Sequence, residues 1–271
     1  MTQYPETEEK TVPTHTVRAL FDALERRIPR TLSCDWDNDG LMCCPDPDAP
    51  VRRVLVALDV TARIAETAVR EGYDLIISHH PLVFHPLAAV NPDDPVAKKI
   101  IALTRAGVSV MSFHTRLDAV TGGVNDTLAE ALGIPDAVPF GEEGIGRVGT
   151  LDAPLTLCEF AARVRAVTGA PAVLVSDAGL PVRRVAVLGG NGSDDVSAAA
   201  ATGADTYLSG EIAHHHLTDA PEKGMNLIAA GHFHTENPVC GTLRRWLLEE
   251  APELTVDLFD SNRIELSGKA E

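Results

Sequence analysis

Eight of the ten histidines in this chain fall in three short stretches, SHHPLVFH (78–85), GEIAHHH (210–216) and GHFHTE (231–236). A ninth, His114, ends the apolar run VSVMSFH (108–114). Imidazoles at this density with carboxylates beside them are the ligand mix of Zn, Fe or Mn. His79 and His80 are adjacent, so their side chains leave the backbone toward different sides and each can hold a different ion. His114 and Asp118, like His232 and Glu236, are four residues apart, one helical turn, so each pair can face one cavity. The two oxygens of a carboxylate such as Glu236 can bridge two cations, and Asp118 can bind one of them. Two ions about 3.5–4 Å apart lower the pKa of water between them and clamp both oxygens of a displacement, so the natural chemistry is hydrolysis. The expected site is therefore His79, His80, Asp118, His232 and Glu236, holding two divalent transition metal ions (Zn, Fe or Mn) per subunit.

A lone histidine at a strand end is more often a satisfied polar residue than a ligand. Here an adjacent pair, two His/acid pairs and a further cluster recur at strand ends, and the recurrence favours metal. His114 can also act by orienting a ligand. Glu211, His214, His215 and His216 read equally as a solvated helix start or as a wall of the site, while His15 and His85 read as surface or packing residues. In CDWDNDGLM (34–42), Asp35, Asp37 and Asp39 read as a tight acidic turn, because Asp46 stands where a calcium-binding loop needs Glu. Gly189-Gly190-Asn191-Gly192 follows a strand as a phosphate-cradling loop would, but lacks both GxGxxG and GK[ST].

The elements that must gather these residues alternate in type. RVLVALDV (53–60), DLIIS (74–78) and VSVMSFH read as strands. TARIAETAVREG (61–72), PVAKKIIALTRAG (95–107) and a segment from Gly123 to Leu132 read as helices, after a first helix at 15–28 and a turn-rich stretch up to residue 50. RRVAVLGG (183–190), DTYLSGE (205–211) and MNLIAAGH (225–232) repeat the pattern, with helices between them. Continuous apolar strands alternating with amphipathic helices predict parallel sheets covered on both faces. The halves echo each other: Arg53-Val54 falls on Arg184-Val185, and GYDLIIS (72–78) falls on GADTYLS (203–209), both at an offset of 131. The expected fold is α/β, with two related domains and a possible internal duplication. The first spans 1–135 with His79, His80 and Asp118, and the second 136–271 with His232 and Glu236. The C-terminal segment is free to pack back on the first domain. Residues 136–182 carry RVGTL, a helix at TLCEFAARVRAVTG and the strand-like PAVLVSD. In open parallel sheets the crevice beyond the strand carboxyl ends binds ligands, so the metal site belongs there, between the domains.

Composition narrows the partners. A hydrophobic content of 45% with only 4% aromatic suits helices packed on a buried sheet. A formal charge of −16 repels phosphate backbones, so no nucleic acid is expected. The polar start MTQYPETEEK and the lack of a long uncharged apolar segment predict a cytoplasmic protein with no membrane contact. Five cysteines without a CxxC pair read as reduced thiols.

WDNDGL (36–41), SHHPLVF (78–84), HTRLDAVTGGVND (114–126), SGEIAHH (209–215) and GHFHTE (231–236), in this order, resemble the Ngg-interacting-factor-three-like proteins, also called GTP cyclohydrolase I type 2 homologues. The resemblance covers residues 15–262. It implies two α/β domains, a dinuclear metal centre between them and a homohexameric ring. His79, His80, Asp118, His232 and Glu236 match the family's metal ligands, with Glu236 as the bridge. In place of the small residue that usually follows the family turn, this chain has Met42-Cys43-Cys44. The expected function is a metal-dependent hydrolase of an unknown small molecule, a nucleotide, pterin precursor or phosphoester, with His114 or His215 as proton carrier. The alternative is a non-catalytic protein that stores or senses metal or serves as a ring-shaped scaffold.

Overall fold

A computed structural model describes residues 15–265; the polar N-terminal MTQYPETEEK lies outside them. The first half runs β1 (His15–Thr16), α1 (Val17–Arg27), β2 (Gly40–Cys43), β3 (Pro50–Val51), β4 (Arg53–Ala57), α2 (Ala62–Glu71), β5 (Leu75–Ser78), α3 (Pro95–Ala106), β6 (Ser109–Ser112), α4 (Thr115–Ala119) and α5 (Val124–Ala131). The second runs β7 (Val138–Phe140), β8 (Gly146–Leu155), α6 (Leu157–Thr168), β9 (Leu174–Ser176), β10 (Val182–Asn191), α7 (Val196–Ala201), β11 (Thr206–Glu211), α8 (His214–Asp219), β12 (Asn226–Ala229), α9 (His232–Glu236), α10 (Val239–Glu250) and β13 (Thr255–Leu258).

Two α/β sheets result, with orders β13-β4-β5-β6-β2 and β7-β8-β10-β11-β12-β9. Four of five strands in the first and four of six in the second point one way; β2, β8 and β9 run against them. The central strands β5, β6 and β12 are buried at every position, which is why they read as unbroken apolar runs. The short GLMC of β2 was concealed in the turn-rich stretch. Four residues on a sheet edge are too few to show a period.

Each sheet is a layer between helices. In the first, Leu20 and Leu24 of α1 and Leu243, Trp246 and Leu247 of α10 cover one face, while Ile64 and Ala68 of α2 and Leu103 of α3 cover the other. In the second, Leu128 of α5 and Phe160 and Val164 of α6 pack on one face, and Val196 and Ala199 of α7 on the other. The halves thus exchange cover: α5 lies on the second sheet, and α10 and β13 return to the first. Caps bound the helices as the sequence suggests. Asp94 accepts from Val96 N and Ala97 N ahead of α3, and Thr156 with Glu159 closes a capping box on α6.

The echo in sequence is an echo in hydrogen bonds. Asp74 Oδ2 accepts from Arg52 N and Arg53 N, and Asp205 Oδ2 from Arg183 N and Arg184 N. Ser78 O accepts from Phe113 N at 3.0 Å, and Ser209 O from Ala230 N at 2.9 Å. A shared β-α-β-α-β frame, the pattern of an internal duplication, therefore ends its strands in the same way in both halves.

Candidate metal centre

Beyond these strand ends the two sheets supply one cluster. His79 and His80 continue β5, Asp118 sits on α4 just after β6, and His232 and Glu236 open and close α9 just after β12. Three groupings have ligand atoms within 4.8 Å of one another: His79, His80 and His114; His79, Asp118 and Glu236; and His80, His232 and Glu236.

Each histidine is held by its far nitrogen. His79 Nδ1 donates to Phe113 O at 2.9 Å, His80 Nδ1 to Asp59 at 2.7 Å, His114 Nδ1 to Asp37 at 2.8 Å, and His232 Nδ1 to Glu211 at 3.3 Å. A carbonyl or carboxylate partner only accepts, so the proton stands on Nδ1 and the Nε2 lone pair is left for a ligand. Glu236 stands in the middle. Its Oε1 lies 3.7 Å from His79 Nε2, and its Oε2 lies 3.0 Å from His80 Nε2 and 3.1 Å from His232 Nε2. Asp118 Oδ1 is 3.6 Å from His79 Nε2.

His79 Nε2 is fully buried and has no hydrogen-bond partner among the described residues, its nearest carboxylate oxygens lying 3.6 and 3.7 Å away. Unpartnered buried polar atoms are costly and rare. Nitrogen and carboxylate oxygen lone pairs directed at common points are what a cation neutralises, and this N/O donor set suits Zn, Mn or Fe. The residues present therefore fit metal ions.

The electrostatics agree. Burial alone would hold His80 neutral, but Asp59 and Glu236 outweigh it and push its pKa up to about 10. Burial also opposes the charge on Glu236, yet His232, His79 and His80 hold it well below the usual carboxylate range. Burial, followed by the neighbouring Glu236 charge, pushes Asp118 up to about 6 against the pull of His79.

The acidic stretch near Trp36 is a brace for this site. Asp37 also accepts from Thr115 N and Oγ1, while Asp39 accepts from His114 N and Arg116 Nε and pairs with Arg30. Together they pin the start of α4. The GGNG stretch likewise supports Glu236. A Cβ on Gly190, at φ +69°, would fall 2.1 Å from Glu236 Oε1, so β10 can pass beneath the carboxylate only as glycine.

The structure thus brings His79, His80, Asp118, His232, Glu236 and His114 together. His215 is elsewhere: it is exposed on α8, its ring packs on His216 at 4.0 Å, and it does not line the cavity of about 720 Å³ that opens on the cluster. His214 is exposed too. Asp59, which orients His80, escaped the sequence reading.

Residues 15–265 match the Duf34/NIF3 (NGG1p interacting factor 3) family. A GTP cyclohydrolase 1 type 2 homolog of Clostridium perfringens is 34% identical over 227 residues, 81% of this chain and 86% of its own length. A NIF3 homolog protein of Schizosaccharomyces pombe is 34% identical over 222 residues, 76% of this chain and 79% of its own. Among solved structures, reduced HcgD from Methanocaldococcus jannaschii superposes with a TM-score of 0.79 at 27% identity, covering 91% of this chain and 98% of that one. A hypothetical protein of Staphylococcus aureus gives 0.81 at 25% identity, covering 93% and 99%.

Proposed function

This chain belongs to the Duf34/NIF3 family, and on that premise we propose that it holds two divalent transition metal ions sharing Glu236 and hydrolyses a small molecule beside them. The observation that carries the reading is the divided setting of Glu236. Oε1 lies nearest His79, whose Nε2 Asp118 also approaches, Oε2 faces His80 and His232, and all four offer donor atoms. The first ion is assigned to His79, Asp118 and Glu236, and the second to His80, His232 and Glu236.

When bound, such a pair supplies an activated water and neutralises charge that builds on the reacting oxygens. The chain's own residues do the rest. Asp59, Glu211 and the Phe113 carbonyl fix the imidazoles. His114, positioned by Asp37, lines the cavity and is the proton carrier of this proposal, in place of His215. The name carried by the relatives brings hydrolysis of a purine nucleotide ring into the set of reactions to assay.

The test is metal analysis of protein purified without chelator, followed by assay of phosphoesters, nucleotides and amides with Mn, Fe or Zn. About two equivalents of metal and metal-dependent turnover are expected. Full metal without turnover across the panel points to the storage or scaffold reading, and no metal after reconstitution overturns the proposal.

We also propose that the subunits form a homohexameric ring. Its support is the resemblance, together with the exposed apolar edge of β9, where Leu174 and Val175 are 64% and 51% exposed. Light scattering should give a mass near six subunits; a value near 28.9 kDa contradicts it.

A further inference from the structure

The cavity that opens on the cluster has two unlike walls. On one, Trp36 is 62% exposed and Phe84 39%. Their rings meet edge to face at 6.3 Å, and both approach His114 edge to face, at 6.3 and 5.9 Å. An indole this open beside a reactive site is an unused stacking surface, and Trp is the best side chain for holding a cation over its face.

On the other wall stand Glu142, Glu143, Asp194 and Asp195. The loop carrying Glu142 and Glu143 comes close to Asp195: a Cβ on Gly141 would lie 3.4 Å from its Oδ1. Burial raises the pKa of Asp195, and the charges of Glu143 and Asp194 raise it further. A carboxylate crowd of this kind is relieved by a positive ligand.

What the walls lack is equally informative. Among the described residues no Lys or Arg lines the cavity, and Asp194 and Asp195 stand at the approach to α7. Apart from the proposed ions, these walls offer a polyphosphate no Arg or Lys fork, and their four carboxylates repel it.

We propose that this cavity binds a flat nitrogen heterocycle carrying positive charge, stacked on Trp36 and facing the acidic wall, and that it disfavours triphosphates. The inference rests on the metal-dependent reading of the site and specifies its substrate class. A nucleotide triphosphate is then a poor substrate, and a cationic or protonated ring bearing a hydrolysable bond is a good one.

The test is calorimetric titration of the protein as purified, with metal content measured on the same preparation. The probes are N-methylquinolinium, quinoline as its uncharged counterpart, and GTP. N-methylquinolinium is expected to bind roughly tenfold or more tighter than quinoline, the scale of a desolvated cation over an indole, and GTP more weakly than either. Trp36→Ala should weaken both ring probes, and Glu143→Gln combined with Asp194→Asn should weaken only the cation. Trp36 is exposed, so its loss leaves the fold intact. Equal affinity for the two rings, GTP binding as tightly as the cation, or an unchanged Trp36→Ala protein overturns the proposal. Low metal with intact cation preference removes the two-metal reading and leaves this one standing; full metal without preference removes this one alone.

Discussion

Ser78-His79-His80 at the end of β5 and Ser209-Gly210-Glu211 at the end of β11 occupy the same place in the two halves, with the serine carbonyls in the same hydrogen bond. The first half fills its place with side chains: two imidazoles, one locked by a backbone carbonyl and one by Asp59. The second half places Gly210 opposite His79 and leaves only the Glu211 side chain, which turns to His232. A Cβ on Gly210 would lie 2.7 Å from Thr235 Oγ1 and 2.8 Å from His232 Cα, so the missing side chain is what lets α9 settle there and carry Glu236 inward. A repeated frame can thus divide one site unequally, with fixed nitrogen donors from one half and the central carboxylate from the other.

Removing the shared group should give the largest effect. Glu236→Ala is expected to lose both ions, whereas Asp118→Ala or His232→Ala should mainly empty one place each. Elemental analysis of the three proteins checks this, and equal losses in all three contradict a shared ligand. Gly190→Ala should resemble Glu236→Ala, since its methyl group takes the space of Oε1.

The orienting carboxylates should differ next. Asp59 is 2.7 Å from His80 in a half-buried setting, while Glu211 is 3.3 Å from His232 and 57% exposed. Asp59→Ala should cost roughly 10–100-fold in metal affinity, the usual scale for an orienting partner, and Glu211→Ala clearly less. Chelator competition measures both.

The acidity of the first-half histidine gives a pH test. In metal-free protein the pKa of His80 is raised to about 10, above its unfolded value of about 6.5, so its stabilisation is complete below the lower figure and fades as pH rises through the higher. Metal needs the neutral imidazole, so binding expels that proton and strengthens with pH. The rise in Tm on adding Mn should therefore widen across that window; a constant rise contradicts the assignment. The smallest effect tests the frame alone. Asp74→Ala and Asp205→Ala each remove a carboxylate from paired backbone N–H groups and should cost the same, about 1–2 kcal/mol, in urea unfolding.

Much of this was legible in the sequence, for physical reasons. Buried strands such as LIIS and NLIA must be apolar throughout, and ligands placed directly after them must gather at one crevice. Spacing over one turn exposed the pairing of His232 with Glu236. Asp59 and Asp37 were harder, because a lone Asp at a strand end or in a turn has the same signature whether it caps the backbone or orients a distant imidazole. His215 misled for the opposite reason. Its neighbours fit a motif, but α8 turns its ring toward His216 and solvent. The exchange of α5, α10 and β13 between sheets left no local trace, since each packs as any amphipathic helix or apolar strand would.

The most direct test of the shared centre is a crystal of the protein grown with Mn and examined by anomalous scattering. Two peaks about 3.5–4 Å apart are expected, one beside His79 and Asp118 and the other beside His80 and His232, with Glu236 between them. A single peak, or two peaks that do not share Glu236, contradicts the account.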